Sequence, residues 1–472
     1  LAFTGNGSTV TNDIDFANDG TLTLGASGGT QTYNGGLDTS GVGSTVTLNG
    51  TIATSNDAVT FGAVTLGSAT TIDTNASNTT GDLTIGVVTG GSNALTLSTG
   101  DNVANSDITA SGNISGVTTL TLSDVGGTAT FAGDVDVTTL TVGNTVANVA
   151  LNGDGSTVTN TVSFANDGTL QLADATGDTL TFNGGVTTTG VGGTVTLNGT
   201  INASDDAITL GAVTLGSNTT VDTNAASTNT ADLTIGAVTG GSNTLTLSTE
   251  NNIANADITA SGAISGVTTL TISNAGGTAT LSGDVDVTTL TIGNTVANVA
   301  INGDGSTVTN DIDFANDGTL QLGDATGDTL TFNGGLDTSD VGGTVTLNGT
   351  IDTSNDAITF DAVTLGSATT IDTNATDTTG DIAIGVVTGG SNALTLSMGN
   401  NVANTDISAT GNISGVTTLT LQNVGGTATL SGDVDVTTLA VGNTVANLAF
   451  TGNGSTVTND IDFANDGTLT LG

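Results

Sequence analysis

Apolar and polar residues alternate in short runs along the whole chain, as in Thr45-Val46-Thr47-Leu48-Asn49-Gly50-Thr51 and Gly133-Asp134-Val135-Asp136-Val137. A period of two, bounded by Gly, Asn and Ser, predicts short half-buried strands. In the block 133–142 the apolar positions are odd (Val135, Val137) and then even (Leu140, Val142), so the alternation slips at Thr138-Thr139. A slip of one residue would flip the buried face of a flat strand. The chain is therefore expected to bend there, with Val and Leu inward, Asp134 and Asp136 outward, and Gly133 easing the tight turn before the strand.

A spacing of 20 residues separates Leu120 from Leu140, Leu270 from Leu290, Leu419 from Leu439 and Leu215 from Ile235. Short strands returning at that spacing predict an all-β fold, a parallel β-helix (β-solenoid) with coils of about 20 residues. The chain has no Pro, which suits coils that donate backbone hydrogen bonds to both neighbours. Thr, Val, Gly and Asn dominate and disfavour helix. Tandem β-sandwich domains of ~100 residues are the alternative; the 20-residue spacing and the absence of Trp and Cys argue against them.

A longer period encloses the short one. Gly5-Asn6-Gly7-Ser8 returns as Gly153-Asp154-Gly155-Ser156, Gly303-Asp304-Gly305-Ser306 and Gly452-Asn453-Gly454-Ser455, at spacings of 148, 150 and 149 residues. The expected organisation is one continuous solenoid over residues 1–472. It has three repeats, about 5–152, 153–302 and 303–451, and the start of a fourth at 452–472. Residues 1–25 are repeated letter for letter at 448–472, 447 residues later, so the segment reads as a cut from a longer array. At about 4.8 Å per coil, ~22 coils would give a rod on the order of 105 Å per period.

Charge then limits what such a rod could do. The chain has no Lys, Arg or His and 44 Asp plus Glu, a formal charge of −44. Nucleic-acid binding is excluded, because phosphate contacts need cations, and so is docking on an anionic membrane. Counter-charge must come from solution ions or a basic partner. No apolar run is long enough to span a membrane, and any secretion signal or anchor is expected outside this segment. Without His, Cys or Lys, the usual nucleophile–base pairs and lysine chemistry are unavailable.

Carboxylates remain as the only candidate chemistry. Paired carboxylates can hydrolyse glycosides, but Asp13/Asp15 and Asp311/Asp313 correspond to Thr161 and Ser163 in the middle repeat. The pair Asp134/Asp136 does recur, as Asp284/Asp286 and Asp433/Asp435. These six residues are candidate Ca²⁺ ligands or, alternatively, a solvated polar face screened by diffuse counter-ions. The run Asp73 to Asn78 imitates an EF-hand opening but lacks Gly at its sixth place and has Thr84 at its twelfth. Asn49-Gly50-Thr51 and Asn198-Gly199-Thr200 have the form of glycosylation acceptors. Phe16, Phe164, Phe314 and Phe463 hold one repeat position, and Tyr33, Phe182 and Phe332 another. Both sets are expected inside the coils as aromatic fillers; carbohydrate stacking is the alternative.

Blocks such as Gly116-Val117-Thr118-Thr119-Leu120-Thr121-Leu122 and Gly199-Thr200-Ile201-Asn202-Ala203 resemble the repetitive β-helical regions of large bacterial surface proteins. The family is that of filamentous-haemagglutinin-type adhesins and autotransporter passengers. The resemblance implies a secreted, extracellular protein that projects from, or coats, a bacterial cell; self-association end to end or laterally into fibres is expected of such a segment, as is contact with polysaccharide or a host surface. The expected function is non-catalytic: a structural subunit or segment of an extracellular bacterial filament, sheath or surface layer. The stalk of a large secreted adhesin is the second expectation and a carbohydrate-active β-helix enzyme the third. No cofactor is expected to be required; Ca²⁺ or other divalent ions would serve as counter-ions.

Overall fold

A computed structural model describes residues 1–78, 81–100, 103–227 and 231–472. The variable stretches 75–80 and 224–230 lie partly outside these. The chain divides into two compact units, Leu1–Ile235 and Gly236–Gly472. Each is an all-β parallel solenoid with coils of roughly 21 residues, and no helix occurs among the described residues.

Within each unit the strands described pair in parallel and in register with those of the neighbouring coils. In the first unit Leu22, Val46, Val64, Val88, Ile114 and Val135 are successive partners, and none is more than 3% exposed. Burying such a rank contributes roughly 1.5–3 kcal/mol per side chain. On another side of the coils Thr30, Thr51, Thr71, Thr96, Thr121 and Thr141 form an outward rank. Threonine suits that place because its branched Cβ fits the pleat while its hydroxyl meets water.

The expected bend is present. In the strand Val135–Val142, Thr138 is exposed, Thr139 half-buried, and Val137 and Leu140 on either side are buried. Leu120 pairs with Leu140, Leu270 with Leu290 and Leu419 with Leu439, as their 20-residue spacing predicts. The spacing from Leu215 to Ile235 is a coincidence: Ile235 pairs with Leu210, 25 residues back, and Leu215 with Leu197, 18 back. Coil length varies because strands must keep their apolar register while corners absorb insertions.

That variation sets how the long repeats are phased. Thr23, Gln171, Gln321 and Thr470 are equivalent positions in successive repeats. In the first unit Thr23 shares a rank with Thr47, Thr65, Thr89, Ser115, Asp136 and Thr157, whereas Gln171 lies on the rank of Thr130 and Ala150. In the second unit Gln321 shares a rank with Thr346, Thr364, Thr388, Ser414, Asp435 and Thr456, whereas Thr470 follows Ala449. In both units one repeat is therefore six coils plus two of the three sides of a coil. Within each unit, the repeat that follows therefore begins one side further round than the repeat before it began.

Of the two aromatic sets Phe16, Phe164, Phe314, Tyr33, Phe182 and Phe332 are buried as expected, whereas Phe463 is half-buried. Phe164 and Phe182 meet edge to face at 6.2 Å, and Phe314 and Phe332 at 6.3 Å. The Tyr33 hydroxyl donates to buried Gln31 Oε1 at 2.9 Å, and burial pushes its pKa up to about 12. These rings are not displayed for stacking on sugars.

Corner glycines differ in what they tolerate. Gly116 has φ +66° and a Cβ there would meet only ordinary van der Waals contacts, the nearest at 3.6 Å, whereas Gly50 has φ +63° and a Cβ there would press into the Ala26 and Gly29 carbonyl oxygens. Gly116→Ala should cost about 1 kcal/mol from backbone strain alone; Gly50→Ala should cost about 1–3 kcal/mol more from overpacking. Urea unfolding of the two variants checks this, and equal losses would contradict it.

Candidate functional site

Parallel coils leave backbone N–H groups at each corner without a strand partner, and a buried orphan is costly. At many of them an Asp or Asn side chain of the preceding coil accepts, and at others a Ser or Thr hydroxyl of the following coil does, as Ser156 does for Val135 at 3.0 Å. The Thr128 N–H donates to Asp107 Oδ1 at 2.7 Å, Thr278 to Asp257 at 2.6 Å and Thr427 to Asp406 at 2.7 Å, one in each repeat. The Asp107 N–H in turn donates to Asp82 Oδ1 at 3.0 Å. Asn148, Asn298 and Asn447 do the same for Thr169, Thr319 and Thr468 at 2.9–3.0 Å. The Gly-Asp-Gly corners follow suit: Asp154 and Asp304 accept from Thr179 and Thr329, and Asn6 from Thr30.

The recurrent pair is placed as follows. Asp134 is half-buried and exchanges two hydrogen bonds of 3.0 Å with Asn113 through its backbone N–H and Oδ2. Burial, then the neighbouring Asp136 charge, holds the Asp134 pKa above the usual carboxylate range. Asp433 keeps the backbone half of this arrangement with Asn412, while Ala263 stands opposite Asp284 and removes the amide. Asp136, Asp286 and Asp435 are exposed. Among the described residues no group of three or more His, Cys, Asp or Glu side chains could hold a metal ion.

Asp136 instead lines a depression that strand pattern alone did not disclose. Ser92, Gly116, Val117, Thr118, Asp136, Val137, Thr138, Thr157 and Thr159 enclose ≈ 400 Å³. Equivalent residues around Asp286 and Asp435 enclose ≈ 280 and ≈ 490 Å³. The depression forms where Gly116 bulges out of register between Ser115 and Val117, under a turn in which Ser92 is held at φ +64°. Ser242 and Ser391 adopt the same left-handed conformation. In the second unit the Asp286 groove lies on the rank Thr307, Thr331, Asp352 and the Asp435 groove on that of Ser414 and Thr456, so the two open on different sides.

The other sequence candidates are placed as follows. Asn198 is buried and its amide donates to the Ala173 carbonyl at 2.9 Å, which closes that glycosylation triplet. Asp73 Oδ1 accepts the Asn75 N–H at 2.9 Å in a local turn. Asp15 stacks on Asp38 and Asp313 on Asp337; burial and the charges of Asp311, Asp337 and Asp340 raise the Asp313 pKa.

The Asp352 carboxylate is pushed up to about 6 by burial and by Asp372 opposite it on the next coil, against a hydrogen bond from Asn374. Its folded value exceeds the ordinary 3.8, so the folded state holds the extra proton. Stability from this group is present at low pH and is lost as pH rises through about 6. Asn202 occupies the position in the middle repeat. Asp352→Asn should therefore stabilise the protein at pH 7.5 by about 1 kcal/mol, allowing for solvent screening, and by less at pH 5. Urea midpoints at the two pH values check it; no gain at pH 7.5 would contradict the burial argument.

In comparisons with known proteins, no family model, no curated protein and no solved structure matches this chain.

Proposed function

We propose that the chain is a non-catalytic structural segment of an extracellular bacterial filament, sheath or surface layer. The observation that carries this reading is the use to which the carboxylates are put. Asp107, Asp257 and Asp406 accept the same corner amide in each repeat, and Asn does the same work at neighbouring corners. An acid that asparagine can replace is serving geometry, not proton transfer. The paired in-register coils give axial cohesion, and the hydroxyl ranks give a hydrated surface. The resemblance to β-helical surface proteins supports an extracellular setting, and self-association would be end to end or lateral.

Uniform fibres continuing end to end in electron micrographs are the expected result. Single tethered rods bearing a distinct tip would instead make the chain an adhesin stalk, and release of reducing sugar lost on changing Asp134 and Asp136 would make it an enzyme.

Counter-ions act here as a diffuse atmosphere, because a −44 chain without cations repels itself. Raising NaCl from about 10 to about 150 mM should raise the thermal midpoint, while EDTA at matched ionic strength leaves it unchanged. A drop with EDTA would establish a specific Ca²⁺ site instead.

A further inference from the structure

We propose that the depressions around Asp136, Asp286 and Asp435 are binding sites for a primary alkylammonium group, the chemistry of a lysine side chain on a partner protein. The floor of the first is apolar, since Val117 and Val137 are 2% and 4% exposed. One wall carries the Asp136 carboxylate, whose Oδ1 accepts the Thr157 N–H at 3.1 Å, while among the described residues its Oδ2 accepts no hydrogen bond. The rim carries the hydroxyls of Ser92, Thr118, Thr138 and Thr159.

An ammonium head has three donors and no acceptor, which this ring of oxygens satisfies, and the methylene stem of lysine can lie along the valine floor. The ≈ 400 Å³ of the depression accommodates both. A guanidinium is served less well, because its planar fork prefers two free carboxylate oxygens or an aromatic face, and no aromatic residue lines the groove. That absence also disfavours a sugar ring. Anions are repelled, since the whole chain carries no cation and its field draws positive ligands toward every concave surface. The site recurs in all three repeats with the same residue types around it. It does not depend on whether the chain builds a filament.

The test is a ligand-observed NMR titration of the full chain with N-acetyl-lysine methylamide, compared with the norleucine analogue, which lacks the charge, and with methylammonium, which lacks the stem. Lysine amide should bind more tightly than either. Exposed side chains make modest ion pairs, so Asp136→Asn, Asp286→Asn and Asp435→Asn together should weaken lysine-amide binding by about fivefold. Asparagine keeps the oxygen that Thr157 needs. The control is Asp167→Asn, Asp317→Asn and Asp466→Asn, which removes the same charge from exposed positions outside the grooves and should leave the affinity within about twofold. Equal weakening by both triple variants would show diffuse counter-ion attraction only and overturn the proposal. Lysine amide binding no better than methylammonium would overturn it as well.

Discussion

Parallel stacking in register is the constraint from which the other features follow. Each coil must place its apolar residues directly over those of the coil below, as Leu95, Leu120 and Leu140 do. The apolar pattern of the strands is therefore nearly fixed, and most of the freedom is pushed into the corners. Corners leave strand, so their amides lose ladder partners. In this chain the missing acceptor is often an Asp or Asn one coil earlier, typically 21 residues away, and elsewhere a Ser or Thr hydroxyl one coil later. The repeating distance between acceptor and donor is the coil itself.

This explains the one-sided charge without assigning catalysis to it. Either Asp or Asn satisfies a corner amide, as Asn148 and Asp107 show at the same kind of position. The geometry needs an oxygen; the negative charge is an additional property of the surface. With no basic residue anywhere, carboxylates must be separated, hydrated or protonated. Asp352 and Asp372, in register on adjacent coils, are where that compromise is least complete. A surface this acidic makes neighbouring molecules repel unless counter-ions screen it.

The strand class, the inward aromatics and the bend at Thr138-Thr139 were legible in the sequence because they depend on alternation, which is local. Coil length was legible only where corners happen to be equal: Leu270 and Leu290 are partners, but Leu215 and Ile235 are not. Nothing in the pattern of single strands reveals an insertion's effect on register. Asp134 and Asp136 were readable as an outward pair, yet their different partners depend on Asn113 and Thr157 from neighbouring coils. The groove was missed for the same reason, since Ser92, Gly116 and Thr157 meet only after stacking. The recurrence of Gly-Gly-Ser-Asn some 45 residues before each Asp-Val-Thr-Thr block was the available signal.

The claim that side-chain oxygens from the preceding coil close the corners can be tested by amide hydrogen exchange. In the wild-type chain the Thr128 amide, held by Asp107 at 2.7 Å, should be protected although it lies at a corner. Asp107→Asn should retain that protection, and Asp107→Ala should lose roughly tenfold of it, for about 1.4 kcal/mol of local stability. Equal exchange at Thr128 in the wild type and the alanine variant would contradict the account.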